Sequence, residues 1–152
     1  MKIQLFIIVI LFLIPGCHKN HDKEPIPNPP IIPSPFAGTY KGTIIDTLFD
    51  FPFGIQTDYV MKINSTNIEG KVTLTNSPIV ADTATITGNI FTIPEKITDD
   101  IERNNKNVEF ATGVFSGVNN DTLSAVFNSN NYKGTNGTIG SLFKRTCLFV
   151  KQ

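Results

Sequence analysis

The sequence predicts an all-β domain: a single antiparallel up-and-down β-barrel of about eight strands, with a two-sheet β-sandwich as the alternative. Three observations predict it. Apolar residues recur at alternate positions from Phe36 onward, Asn- and Gly-rich turn signals separate these runs, and no long stretch keeps helical spacing. Alternation gives a strand one buried and one solvated face, and the turn residues close hairpins. Two segments of different character come first, dividing the chain into residues 1–16, 17–35 and 36–152.

The first segment is a leader. Met1-Lys2 gives a positive start, and an almost unbroken apolar run follows from Ile3 to Ile14. The run falls short of the roughly 20 residues that a spanning helix needs, and its position fits a secretory signal. It ends in Leu13-Ile14-Pro15-Gly16-Cys17, which resembles the lipobox of bacterial lipoproteins. That resemblance implies cleavage after Gly16 and a diacylglycerol on Cys17, with Pro15 an uncommon residue at its position. Two or three acyl chains, at about 0.8 kcal/mol per buried CH₂, would make attachment to a membrane effectively permanent. The residue after Cys17 is His18 rather than the aspartate that resembles an inner-membrane retention signal, which favours the outer membrane.

The second segment, His18 to Pro35, carries Pro25, Pro27, Pro29, Pro30, Pro33 and Pro35. Proline fixes φ and pushes its predecessor to extended geometry, so a disordered, semi-rigid tether is expected, rising about 3.1 Å per residue where it is polyproline-like. His18 and His21, beside Asp22 and Glu24, are the only histidines of the chain. On a flexible tether they lack groups to orient them as metal ligands, and a solvated linker is the expectation.

The body reads as strands in order. Tyr40, Gly42 and Ile44 alternate with polar neighbours, as do Tyr59, Met61 and Ile63, and then Ile68, Gly70, Val72 and Leu74. Later strands are expected at Ala84–Thr87, Ile90–Ile93, Val108–Phe115, Thr122–Asn128 and Gly140–Val150. Phe110 and Phe115 fall out of phase, which suggests a bulge at Gly113. Pro94 to Arg103 reads as a short helix or a loop. The opening Gly38-Thr39-Tyr40 and the closing hairpins resemble those of calycin and lipocalin-like domains, where Gly-x-Trp or Gly-x-Tyr begins the strand at the barrel base. The resemblance implies a barrel and says little about function.

Composition restricts the chemistry. Lys+Arg and Asp+Glu are both 13, so no basic surface for nucleic acid is expected. The body has no histidine, and the chain has no nucleophile elbow, phosphate loop or paired Cys-x-x-Cys. Serine–histidine, cysteine–histidine and most zinc mechanisms therefore lack their parts, and a non-enzyme without cofactor or metal is the expectation. Cys147 shares parity with Phe143 and Phe149 and reads as a buried, inert thiol. Asp99, Asp100 and Glu102 lack the spacing of a calcium loop and read as solvated acids.

One constellation points to binding. Phe49, Phe51 and Phe53 alternate between the first two strands. They form either a lid or patch at a barrel mouth, meeting an apolar small molecule, lipid or an envelope partner, or a plug that closes one end of a small core. The expected role is a membrane-anchored, non-enzymatic binding or scaffolding module. The alternative is a structural subunit of an envelope complex with an immunoglobulin-like sandwich.

Overall fold

Eight strands account for nearly all of the body: β1 (Gly38–Leu48), β2 (Phe51–Ser65), β3 (Lys71–Thr75), β4 (Thr83–Thr87), β5 (Ile90–Asp100), β6 (Asn105–Ser116), β7 (Thr122–Lys133) and β8 (Thr138–Lys151). They come from a computed structural model that describes residues 27–100, 104–134 and 137–152. The leader, Cys17, His18, His21, Asp22, Glu24 and Glu102 lie outside the described residues, as does the side chain of Asp100.

Each strand pairs antiparallel with its sequence neighbours, and β8 returns to β1 to close the ring. Closure runs from Tyr40 opposite Lys151 to Leu48 opposite Phe143. The sandwich alternative is therefore overturned. A closed eight-strand meander is the architecture implied by the calycin resemblance, and it removes the open sheet edges that invite aggregation.

The strands differ in length, and this shapes the two ends. β3 and β4 have five residues each, whereas β2 has 15 and β8 has 14. Only Lys62–Ser65 of β2 pairs with β3. The wall is thus low on one side at the end that holds the β1–β2 turn, and residues 76–82 span the gap with Ile79 and Ala81 buried. We refer to this end as the mouth and to the opposite end as the base.

The base is filled. Tyr40, Phe91, Phe115, Phe127 and Phe149 are fully buried among Ile44, Met61, Ile63, Ile93 and Leu123. Phe36 closes it from below, its ring 4.5 Å from that of Phe115, and its carbonyl accepts a 2.8 Å hydrogen bond from the Tyr40 hydroxyl. Upstream, Ile32 N–H donates to the Thr66 carbonyl at 2.7 Å and Ser34 N–H to Ser65 Oγ at 2.9 Å. The tether therefore arrives at the base, away from the mouth.

Four local expectations are corrected. Ile68–Gly70 belongs to a turn, where Thr66 Oγ1 accepts from Ile68 N–H and Gly70 takes a φ of 71°. Residues 94–100 are neither helix nor loop but continue β5 past an irregularity between Ile93 and Lys96. That irregularity accommodates Pro94, which has no N–H for the ladder. No bulge occurs at Gly113, since β6 and β7 pair without interruption and Phe110 simply faces outward. Glycine is needed there because a Cβ would lie 2.7 Å from Ala125 Cβ. Lastly, Phe51 and Phe53 stand in β2 rather than in a loop.

Candidate functional site

The inner face changes chemistry in one step, about halfway up the barrel. On β6 it reads Phe115, Gly113, Ala111, then Glu109 and Asn107; on β7, Leu123, Ala125, Phe127, then Ser129 and Asn131. β8 gives Phe149 and Cys147, then Arg145, Phe143 and Ser141. On β1, Tyr40, Gly42 and Ile44 give way to Asp46. Ladder pairing sets the first polar residues as two pairs one step apart: Asp46 faces Arg145, which stands opposite Phe127, and Glu109 faces Ser129, which stands opposite Phe143. The apolar base thus carries a polar floor that opens toward the mouth.

Arg145 organises the floor. Its Nε donates to Asp46 Oδ1 at 3.1 Å, and its Nη1 donates to the carbonyl of Pro78, which pins the 76–82 segment across the low wall. Its guanidinium carbon lies 4.7 Å from the centre of the Phe143 ring, a cation–π contact. The other Asp46 oxygen accepts from Gln56 Nε2 at 2.9 Å. Asp46 is only 5% exposed, so both its lone-pair directions are used and its charge is matched.

Glu109 is held differently. It is 7% exposed, yet among the described residues its carboxylate accepts only neutral donors: Asn107 Nδ2 at 3.3 Å and Ser129 Oγ at 3.4 Å, both on Oε1. Ser129 Oγ also lies 3.2 Å from Asn107 Oδ1, and its single proton cannot serve both acceptors. Glu109 Oε2 has no hydrogen-bond partner among the described residues.

Two adjoining hollows sit on this floor. One, of about 410 Å³, is lined by Glu109, Ser129, Phe143 and Arg145 with Pro78, Ile79 and Val80 as its side wall. The other, of about 440 Å³, is lined by Thr98, Asn107, Ser129, Asn131, Ser141 and Phe143. Both fall within the size range of small-molecule sites.

The aromatic trio divides. Phe49, in the turn, and Phe51 and Phe53, in β2, are all exposed, Phe51 by 76%. None plugs the core, so that reading is overturned, and Phe36 closes the barrel instead. Phe53 alone reaches toward the hollows, its ring 5.5 Å from that of Phe143. Cys147 is buried beneath the floor, where loss of solvation pushes its thiol up to about 12. Asp99 is exposed on β5.

Sequence reasoning did not assemble Asp46, Glu109 and Arg145 into a site. The signal was there: each is a charged residue in phase with the apolar positions of its own strand. No protein family, curated protein or solved structure matches the chain.

Proposed function

We propose that this chain is a membrane-anchored lipoprotein whose barrel is a non-enzymatic binding module, taking a small amphipathic molecule into its mouth. The observation that carries the reading is the step on the inner face from a filled apolar base to a hollow polar floor. The base is filled by its own side chains, so the ligand has a polar end for the floor and an apolar part for Phe143, Ile79 and Val80. The anchor rests on the Leu13–Cys17 sequence, and a tether that joins the barrel at its base would leave the mouth open to the aqueous space.

Exposure of Phe49 in the β1–β2 turn, and of Phe51 and Phe53 on the stretch of β2 without a β3 partner, supports a second reading, in which an envelope protein docks there. The two readings are compatible, because only Phe53 reaches toward the hollows.

The anchor is tested by Cys17→Ser, which should release the chain from the envelope fraction and abolish palmitate labelling. Retention in that fraction would overturn it. The module is tested by ligand-observed NMR on the mature chain with 2-phenylethanol, a neutral probe of matching shape. Saturation transfer should be seen and should vanish in Phe143→Arg, which fills the hollow; no transfer to the unmodified chain would end the reading.

A further inference from the structure

The charges of the floor do not balance around Glu109. Asp46 and Arg145 neutralise each other at 3.1 Å, and the Pro78 carbonyl takes a further Arg145 proton. Among the described residues Glu109 meets only an amide and a shared hydroxyl, both on Oε1, and it lines the hollow. A carboxylate so nearly buried is costly without a cation or several strong donors.

The nearest cation in the ladder is Lys96, directly opposite Glu109 on β5. It is exposed and forms no ion pair with Glu109. Among the described residues, then, no cation is paired with Glu109, and the charge can be supplied by a ligand. The hollow supplies the rest of a recognition site: Phe143 as an aromatic face, and Pro78, Ile79 and Val80 as an apolar wall.

We propose that this hollow selects a small molecule carrying an ammonium group on an aromatic or aliphatic body. The ammonium sits on Glu109 Oε2 and is flanked by Ser129 and Asn107, while the body lies against Phe143 and the 76–82 wall. Ammonium fits better than guanidinium because a single oxygen is free, so a bidentate fork would find no second acceptor. A carboxylate ligand is disfavoured, since it would meet the Glu109 charge and find the Arg145 charge already matched by Asp46. The inference rests on the module reading and adds the charge of the ligand to it.

The experiment uses the acylated chain in phosphatidylcholine nanodiscs, with empty nanodiscs subtracted, and three probes of one shape: 2-phenylethylamine, 2-phenylethanol and phenylacetate. At pH 7 the amine should bind about tenfold more tightly than the alcohol, and phenylacetate more weakly than either. Glu109→Gln should remove the advantage of the amine over the alcohol. Lys96→Ala should tighten the amine severalfold without altering the alcohol. If Glu109→Gln fails to fold, the probe ranking and the Lys96 variant still decide. An amine no tighter than the alcohol would overturn the charge assignment while the module stands; if no probe binds, both fall.

Discussion

At the scale of single residues, Arg145 carries more of the site than any other side chain. It neutralises a buried aspartate, stacks on Phe143 and ties the 76–82 segment to the barrel. Replacing it with Met keeps the volume but leaves Asp46 charged and unmatched. Arg145→Met should lower the unfolding free energy by roughly 2–4 kcal/mol, at or below the cost of breaking a fully buried pair because Arg145 retains 28% exposure. Adding Asp46→Asn should recover part of the loss, since both charges are then gone; urea titrations of the three variants check this. A double variant no more stable than the single would sink the pairing argument. The same residues show what was readable beforehand. Arg145 lies in phase with Cys147 and Phe149, Glu109 with Ala111 and Phe115, and Asp46 with Ile44. Parity alone places all three inside. It could not show which would be matched, because the pairing of Asp46 with Arg145 exists only once the last strand returns to the first. The surroundings of Glu109 were hidden for a similar reason, since the irregularity at Pro94 decides that Lys96 of β5 stands opposite it.

At the scale of elements, the turn between β1 and β2 is the least expected feature. Phe49 and Asp50 connect Leu48 to Phe51 with φ of 50° and 65°. A two-residue hairpin loop with both φ positive suits the strand twist, but it normally takes Asn-Gly, because side chains crowd the backbone in that region. Phe49→Asn with Asp50→Gly should therefore stabilise the barrel by about 1–2 kcal/mol. The exposed Lys144–Asp50 pair that is lost at 3.3 Å offsets little of this. Thermal unfolding checks the gain, and a loss of stability would mean that Phe49 packs usefully despite its exposure. Elsewhere the strands were legible wherever one face is buried against the base, as in Tyr40–Ile44, Tyr59–Ile63 and Thr122–Phe127. The extensions toward the mouth were not. Thr98, Ser129 and Asn131 line a polar hollow, so around them the alternation of apolar and polar side chains is lost even though the backbone continues as strand, whereas Phe51, Phe53 and Ile55 keep the alternation but are exposed. Gly113 was misread because an out-of-phase phenylalanine looks like a bulge in sequence, whereas here Phe110 lies on the outer surface and the ladder is unbroken.

At the scale of the whole molecule, the filled aromatic core and the polar hollows occupy different halves of one barrel. Closure of β8 on β1 packs the aromatic base into a ring without edges, and this leaves the mouth free to carry under-compensated polar groups. Such a division makes the base responsible for how the fold responds to alkali. Burial pushes the Cys147 thiol from an ordinary 9.0 up to about 12, with Arg145 opposing and Asp46 adding to the shift. Burial likewise pushes the Tyr40 hydroxyl from 10.0 to about 12, with a smaller contribution from Asp121, and raises Tyr59. Each group holds its proton more tightly folded than unfolded, so above pH 9 the unfolded chain releases protons that the folded chain keeps. Stability is then complete below pH 9 and declines as pH climbs toward 12, Cys147 contributing first and the tyrosines from about pH 10. Lysines also lose charge in this range, so the informative quantity is a difference between chains. Cys147→Ala should be somewhat less stable at pH 8, from the small void it leaves, yet should lose less stability between pH 8 and pH 10.5 than the unmodified chain. Urea midpoints across that interval measure it. Parallel curves for the two chains would show that the thiol does not sit in a dry base, and would remove the basis for dividing the barrel into a filled half and a hollow one.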